Sequence, residues 1–250
     1  MAFQTVFKRY ELKYMLTPIQ KEIILEAMLP YMALDRYGRT TIRNVYFDTD
    51  NYRLIRRSIE KPAYKEKLRI RSYSQATSDS TVFVELKKKY EKVVYKRRVP
   101  MSERDAMEWV CREGASPMNT QITREIDYFI DFYSGLNPKV FLSYDREAYY
   151  DKCGSDFRVT FDESILCRQS DVSLCAGIYG IPILPESSTL MELKCSGGIP
   201  LWMTRVLSQE GIYKTSFSKY GTAYRALIFP EIYLQKSTKE KEMVRNGRII

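Results

Sequence analysis

The most constraining feature of this sequence is a period of two residues that recurs in segment after segment. Between residues 81 and 89, apolar side chains alternate with Phe83, Glu85 and Lys87. An alternation of this kind indicates a β-strand with one apolar and one polar face. Here the polar faces carry mainly Arg and Lys with single acidic residues, whereas an ordinary solvated face mixes neutral and balanced charged groups. The same split recurs at residues 67–71, 93–98, 157–162 and 191–194.

Crowded ammonium and guanidinium groups repel one another, so faces of this composition predict a ligand of high negative charge. The whole chain agrees, with 40 Lys and Arg against 31 Asp and Glu and a net charge of +9. Nucleic acid, an anionic membrane and polyphosphorylated small molecules all remain open as partners on this ground. The chain contains no histidine, which excludes Ser-His-Asp and Cys-His nucleophiles, histidine metal sites and phosphohistidine chemistry.

Length and composition predict a packed globular protein, because 44% of the 250 residues are hydrophobic and 13% are aromatic. We expect one domain over residues 1–235 and a polar, basic C-terminal tail over residues 236–250. No stretch approaches ~18 consecutive apolar residues, and the N-terminus lacks a signal-peptide pattern. These features predict a cytoplasmic protein without a transmembrane segment, which could associate with a membrane through a partner protein. Five cysteines without a C-x-x-C pair fit neither a disulfide framework nor a zinc site, and we predict that most of them are reduced core residues.

Helix starts are marked by capping residues. Thr17 with Pro18 and Gln20 predicts a helix from residue 18 to about residue 32, and Ser102 with Asp105 predicts another to about residue 112. Further helices are predicted over residues 51–59, 121–133, 202–209 and 219–227. Strands are predicted over residues 6–14, 40–48, 64–73, 81–90, 92–99, 140–149, 157–166 and 190–195.

The amphipathic helices need an apolar sheet face to cover, which leaves the charged face of the strands for the opposite side. We therefore predict an α+β fold: a closed antiparallel eight-stranded β-barrel, or tunnel, with a basic lumen and helices packed outside. An open sheet with a solvated basic face uses the same alternation. The repeated E-x-K pairs that begin at Glu11, Glu85 and Glu192 favour the tunnel. The predicted inward cations are Arg9, Lys13, Arg69, Arg71, Lys87, Lys96, Arg98, Arg146, Arg158 and Lys194.

Acidic residues are the minority on these faces. Glu11, Glu85, Asp162 and Glu192 are the carboxylates available to hold a divalent cation.

A series of short motifs resembles the VTC domain, the polyphosphate polymerase branch of the triphosphate tunnel metalloenzymes of the CYTH-like superfamily. Each motif alone is weakly specific, but their order and spacing extend over nearly the whole chain. In order, they are R-Y-E-L-K-Y at residues 9–14, Y-F-D-T at 46–49, K-L-R-I-R at 67–71, F-V-E-L-K at 83–87, V-Y-K-R-R at 94–98, Y-D-R-E-A-Y at 144–149, R-V-T-F-D at 158–162, M-E-L-K at 191–194 and F-S-K-Y-G at 217–221.

The resemblance implies a tunnel that binds ATP by its triphosphate and transfers the terminal phosphoryl group to a growing polyphosphate chain. It implies that phosphates are gripped by Lys13, Arg69, Arg71, Lys87, Lys96, Arg146, Arg158 and Lys219. It implies that Glu192 binds Mn²⁺ or Mg²⁺, with Glu11 and Glu85 as further candidate metal ligands. We predict Arg9, Arg98, Lys194 and Ser218 as additional substrate-binding residues. Such phosphoryl transfer needs positioning and charge stabilisation more than a strong base, which agrees with the absence of histidine.

The sequence departs from the family pattern near its C-terminal helix, where Ser216 stands in place of an expected lysine; Lys214 is a candidate replacement for that ammonium. Three functions stay open: an ATP:polyphosphate phosphotransferase, a tunnel-fold triphosphatase for tripolyphosphate or nucleoside triphosphates, and a non-catalytic polyphosphate sensor. Hydrolysis would need an activated water, for which Glu11 or Glu85 is the candidate base. A fourth hypothesis, nucleic-acid binding on an open basic sheet, predicts steep salt dependence with long DNA or RNA and no metal requirement. We do not expect nucleic acid as the partner.

Overall fold

The structure is a computed structural model that describes residues 6–91 and 93–230, with the backbone alone for residues 6–9. The predicted tail over residues 236–250 lies outside this part. The strands are β1 Val6–Leu16, β2 Met32–Leu34, β3 Thr40–Asp48, β4 Tyr64–Ser72, β5 Thr81–Tyr90, β6 Val93–Ser102, β7 Asn137–Asp151, β8 Arg158–Arg168, β9 Ile181–Pro182, β10 Thr189–Cys195 and β11 Lys214–Thr215. The helices are α1 Pro18–Met28, α2 Arg53–Ile59, α3 Glu103–Val110, α4 Gln121–Tyr133, α5 Leu201–Gln209 and α6 Lys219–Ala223, and a π-helical turn, Tyr224–Ile228, follows α6.

The predicted capping residues begin their helices as expected. The Thr17 side chain accepts a hydrogen bond from the Gln20 N–H at 3.3 Å, and the Gln20 side chain accepts one from the Thr17 N–H. Ser102 caps α3 by accepting from the Asp105 N–H at 3.1 Å. Helix α1 ends at Met28, earlier than predicted, because Pro30 lacks the N–H that a further turn would use. None of the helices in the described part of the chain is long and apolar enough to cross a bilayer.

All pairings in the sheet are antiparallel. The strand order is β2-β7-β3-β4-β5-β6-β1-β10-β8-β9, with β11 beside β1 and an additional ladder between β7 and β8. This ladder brings the two arms of the sheet together, so that the fold is tunnel-like. The polar faces are enclosed accordingly: Glu85 and Asp162 are both 0% exposed. This enclosure argues against the alternative of an open sheet with a solvated basic face.

The prediction of a closed eight-stranded β-barrel with every helix outside is wrong. The described residues form an eleven-stranded sheet whose path ends in two short edge strands, β2 and β9. The 15-residue strand β7 extends past β3, and β2 pairs with the exposed edge that remains at residues 149–151. Backbone groups on such an edge need partners, and a three-residue strand supplies them. Segments of two or three residues are too short to show a period of two in the sequence.

The outer face of the sheet carries two apolar cores. In the first, α3 and α4 cover β4 and β5, with Trp109 and Phe129 buried between helices and sheet. In the second, α1 and α5 cover β1, β8 and β10 through residues that include Ile24 and Met203. These four helices pack outside the sheet, as the amphipathic patterns predicted.

A third apolar core lies on the same side of the sheet as the charged residues. It follows β3, β7 and β8, and it is filled by α6 and the π-helical turn through Tyr220 and Tyr224. Tyr144 of this core lies beneath the Lys219 ammonium, with 4.5 Å between the Nζ atom and the ring centre. The interior is therefore divided into an apolar part beside α6 and a charged part along β4, β5, β6, β1 and β10, and α6 brings Lys219 to the boundary between them.

Candidate functional site: the charged interior of the sheet

One cluster of cations surrounds Glu85 on β5. Arg69 donates to Glu85 Oε2 from Nε at 2.9 Å and from Nη2 at 2.7 Å, and Arg98 Nε donates to Oε1 at 2.7 Å. Lys96 Nζ lies 3.3 Å from Oε1 and Arg71 Nε 3.9 Å from Oε2. Burial alone would raise the pKa of the Glu85 carboxyl, but these four cations hold that pKa well below its usual value. Glu85 is therefore a permanent anion that neutralises part of a larger positive cluster.

A second cluster surrounds Glu192 on β10 and Asp162 on β8. Glu192 Oε1 lies 3.2 Å from Lys13 Nζ and 3.3 Å from Lys219 Nζ, while Oε2 lies 3.1 Å from Lys194 Nζ and 3.5 Å from Arg146.

Asp162 is held by Arg146 through two hydrogen bonds of 2.6 Å, and it also accepts from Lys219. The two-pronged contact fixes the Arg146 guanidinium, because its planar fork matches a carboxylate. Burial acts to lower the pKa of Lys219, but Asp162 and Glu192 outweigh it and raise that pKa. Lys219 is thus a fixed cation inside the fold.

Glu11 on β1 and Lys194 on β10 lie opposite one another in the ladder beside this second cluster. Lys87 Nζ donates to Glu11 Oε2 at 2.6 Å; burial opposes ionisation of Glu11, but Lys87 and Lys194 lower its pKa to about 2. Lys194 Nζ donates to Thr160 Oγ1 at 2.8 Å. Burial lowers the pKa of Lys194 to about 7 despite the nearby Glu192 carboxylate. Lys194 is therefore an interior ammonium that titrates near neutral pH.

The segment before α6 connects the charged walls. Ser218 caps α6 by accepting from the Gly221 N–H at 3.2 Å, and its Oγ atom also accepts from Lys67 Nζ at 2.9 Å. Lys13 Nζ donates to the Phe217 carbonyl at 2.8 Å. Side chains from β1 and β4 thus hold the chain at the point where it delivers Lys219 to the acidic pair.

The structure brings most of the sequence-predicted site residues together. Arg69, Arg71, Lys96 and Arg98 converge on Glu85, and Lys13, Arg146, Lys194 and Lys219 converge on Glu192; Lys87 joins Glu11, and Ser218 contacts Lys67. Their roles in binding or catalysis remain predictions. Arg158 is exposed at the start of β8, where it lies opposite Lys194 in the ladder with β10; among the described residues it forms no ion pair with the carboxylates of either cluster. The side chain of Arg9 lies outside the described part of the structure.

Lys214 does not take the place of the lysine expected at Ser216. Lys214 is exposed and lies opposite Tyr14 in the ladder between β11 and β1. Residues directly opposite one another share a face of the sheet, and Tyr14 belongs to the outer core. The Lys214 side chain therefore leaves the backbone on the outer side of the sheet, away from Glu192.

Sequence reasoning missed three interior contributors. Tyr46 accepts a hydrogen bond from Arg69 at 2.8 Å, Tyr144 accepts one from Arg71 at 3.0 Å, and Lys67 contacts Ser218. Lys67 could have been found, because it occupies the alternate position two residues before Arg69 in the K-L-R-I-R motif. Tyr46 and Tyr144 begin two of the motifs quoted above, but a buried tyrosine in a strand is ordinarily part of the core, so neither was predicted as a site residue.

The carboxylates fit a divalent cation held jointly with phosphate oxygens. No group of three acidic, histidine or cysteine side chains in the described residues could hold a metal ion alone. Mg²⁺ and similar ions commonly use one or two carboxylates and complete their coordination with substrate phosphates. Glu192 and Glu11 suit this arrangement, because they lie on neighbouring strands and their charges interact directly. Four cations surround the oxygens of Glu85 as well as those of Glu192, but Glu192 also has the carboxylates of Glu11 and Asp162 beside it, so Glu192 is the better placed of the two.

The five cysteines form no disulfide. Cys167 and Cys195 are buried, Cys111 is partly buried, and Cys153 and Cys175 are exposed. Only two of the five are therefore buried core thiols, so the prediction that most of the cysteines lie in the core is wrong.

Solved structures with the same fold include two proteins described as candidate adenylate or adenylyl cyclases. One is a candidate adenylate cyclase from Bacillus halodurans, with 16% sequence identity, a TM-score of 0.55, and coverage of 90% of this chain and 100% of that chain. Another is a candidate adenylyl cyclase from Hippeastrum that is described as having a dominant triphosphatase activity. It has 17% identity, a TM-score of 0.52, and coverage of 87% of this chain and 95% of that one. At these identities the similarity shows the fold alone.

No curated protein sequence matches the chain significantly. The VTC domain family does match, over residues 8–228, which include every interior charged residue described above. The match confirms the family that the order and spacing of the motifs predicted: the chain belongs to the VTC domain family.

Proposed function

We propose that this protein is a metal-dependent polyphosphate polymerase, which transfers the terminal phosphoryl group of ATP to a growing polyphosphate chain in the charged interior. The observation that carries the proposal is the convergence of Lys13, Arg146, Lys194 and Lys219 on one buried carboxylate, Glu192. These four cations can bind phosphate oxygens as they bind the Glu192 carboxylate, because both kinds of oxygen are anionic and accept hydrogen bonds. Membership of the VTC domain family supports the same reaction.

The interior residues would act by holding and orienting phosphates. Arg69, Arg71 and Arg146 are suited to grip phosphate oxygens in pairs, and the lysines supply point charges around them. A divalent cation, Mn²⁺ or Mg²⁺, bound by Glu192 with Glu11 nearby would neutralise charge on the transferred group. The acceptor is an ionised phosphate, so its attack needs no side-chain base. ATP and inorganic polyphosphate are the proposed ligands, and a membrane-protein partner and a cytoplasmic location remain predictions.

A triphosphatase is the second candidate, and the similarity in fold to the Hippeastrum protein is the observation in its favour. The two carboxylates that the sequence offered as its base, Glu11 and Glu85, do not suit that role. Hydrolysis needs a base to activate water, and an efficient base has a pKa near the working pH. The pKa of Glu11 is lowered to about 2 and that of Glu85 is well below its usual value, so neither carboxylate is suited to take a proton. A non-catalytic polyphosphate sensor would use the same cations without turnover.

The experiment incubates purified protein with ATP and Mn²⁺, or with ATP and Mg²⁺, and resolves long polyphosphate on a gel while free phosphate is measured. Glu192→Ala is the test variant, and Glu186→Ala, which changes an exposed glutamate, is the matched control. We expect long chains with the wild type and Glu186→Ala and none with Glu192→Ala. Free phosphate without chains would replace the proposal by a triphosphatase. Bound polyphosphate with neither product would replace it by a sensor.

A further inference from the structure

Four lysines face one another directly where β4 and β5 form one end of the charged interior. In the ladder, Lys65 lies opposite Lys89, and Lys67 lies opposite Lys87. Like charges directly opposite on neighbouring strands destabilise a sheet. The next pair on the same face, toward the middle of the ladder, is Arg69 and Glu85, whose charges are opposite. The unfavourable pairs are thus confined to the end of the ladder.

The acidic residues of the interior do not compensate these lysines equally. Lys87 is paired with Glu11, but Lys65, Lys67 and Lys89 form no ion pair with a carboxylate among the described residues. Lys65 Nζ donates to the Ser58 carbonyl at 3.1 Å, and Lys67 to Ser218. Both contacts are to neutral oxygens, so they leave the net positive charge of this end unchanged.

These lysines are also drawn partly out of water. Burial lowers the pKa of Lys65, and the charges of Lys61, Lys13 and Lys87 lower it further. The pKa of Lys89 is lowered in the same way, first by burial and then by Lys65 and Lys87. A purely solvated surface lysine has neither effect, because water screens its neighbours. We call Lys65 and Lys89, the outer of the two facing lysine pairs, the lysine collar.

The row of inward cations on β4 is longer than a triphosphate group needs. Arg71, Arg69, Lys67 and Lys65 alternate along the strand, so they span about 20 Å at about 7 Å for every two residues. A chain that lies along Arg71 and Arg69 and continues in the same direction reaches Lys67 and then the collar.

We infer that the lysine collar is an additional binding subsite for linear polyphosphate, which holds the part of a chain that extends beyond the triphosphate site. The inference rests on the proposed function for its ligand class and adds a subsite to it. The collar would favour long chains over short ones, since only a chain longer than a triphosphate reaches both regions at once. Added phosphate would also replace the repulsion between Lys65 and Lys89 with attraction.

The test compares the binding of tripolyphosphate and of long linear polyphosphate, without ATP, to the wild type and to the double variant Lys65→Gln/Lys89→Gln. The double variant should fold normally, because it removes a repulsive pair; its melting temperature is measured first. Lys88→Gln is the matched control, since Lys88 is on the opposite face of β5, 3.9 Å from Glu125.

We expect the double variant to bind the long chain about tenfold more weakly, because two exposed or half-buried ion pairs are lost. Its affinity for tripolyphosphate should stay within about twofold of the wild type, and the salt dependence of long-chain binding should become less steep. Lys88→Gln should resemble the wild type. Equal losses for both ligands, or no loss for either, would overturn the inference. Failure of the wild type to make polyphosphate from ATP, with the chain-length preference intact, would reject the polymerase and leave the subsite standing.

Discussion

The Tyr220 hydroxyl donates a hydrogen bond of 3.0 Å to Asp48 Oδ2, and this contact joins the end of β3 to α6. Asp48 is fully buried and also accepts from the backbone N–H groups of Leu54 and Ile55 at the start of α2. One carboxylate therefore fixes α2 and α6 to the sheet. Because Lys219 precedes Tyr220 directly, the same contact helps to set the position of the Lys219 ammonium. Asp48 thus ends β3 and anchors two helices.

Replacement of Tyr220 by phenylalanine should lower the free energy of unfolding by about 1–2 kcal/mol, because Asp48 loses a buried donor. The ring can still stack on Tyr46, whose centre lies 4.9 Å away, so packing is preserved. Chemical denaturation of Tyr220→Phe, Asp48→Asn and the double variant measures the coupling between the two side chains. Additive effects within about 0.3 kcal/mol would show that the hydrogen bond does not contribute.

Replacement of Glu85 by glutamine should destabilise the ligand-free protein by about 3–5 kcal/mol, since a buried ion cluster loses the anion at its centre. The four cations that surround Glu85 would then repel one another. Tripolyphosphate should restore more stability to Glu85→Gln than to the wild type, because an added anion takes over the lost charge. Thermal unfolding with and without the ligand checks this, and an equal ligand-induced shift in both proteins would contradict it.

Affinity for tripolyphosphate should fall as the pH rises from about 7 to 9. The pKa of Lys194 is lowered to about 7, so its ammonium is charged below this pH and largely neutral above it. An anion binds the charged form, so the lost affinity from this residue reaches at most about tenfold per pH unit. Lys194→Met should bind more weakly at pH 6.5 and show a flatter profile, and titration of the ligand itself cancels between the two proteins. Parallel profiles would exclude Lys194 as the titrating group.

The same residue predicts the direction of a stability change. The folded pKa of Lys194, about 7, lies below the ordinary value of 10.5, so between these values the unfolded chain binds the extra proton. The contribution of Lys194 to the free energy of unfolding should therefore increase as the pH rises through this window. The stability of the wild type relative to Lys194→Met, measured by denaturation at several pH values, should increase accordingly, and a difference that stays constant would contradict the assignment.

Replacement of Lys219 by methionine should reduce polyphosphate synthesis by about 100-fold, the order expected when a group that stabilises developing charge is removed. Lys214→Met is the matched control, because Lys214 is exposed and lies outside the charged interior. It should retain wild-type synthesis. Rates at saturating ATP, measured as long polyphosphate formed, distinguish the two variants, and similar activities in both would remove Lys219 from the site.

Local sequence features determined much of the fold. The alternation of apolar and charged residues located the eight long strands, since a period of two follows directly from strand geometry. The capping residues Thr17 and Ser102 located two helix starts, because their side chains satisfy nearby backbone groups. The order of the motifs along the chain identified the VTC domain family. The charge pattern also indicated that the polar faces of the strands are enclosed.

Tertiary structure decided how these parts combine. The short strands β2, β9 and β11 exist because longer strands leave unpaired edges, and that depends on the three-dimensional register rather than on their own two or three residues. The inner position of α6 depends on contacts of Tyr220 with Asp48 and Tyr46, which are distant in sequence. The sequence predicted a basic interior, but the structure showed that Glu85, Asp162 and Glu192 neutralise part of it. Among the described residues, no carboxylate neutralises the end of the interior at Lys65 and Lys89, because ion pairing depends on which residues the strand register brings within reach.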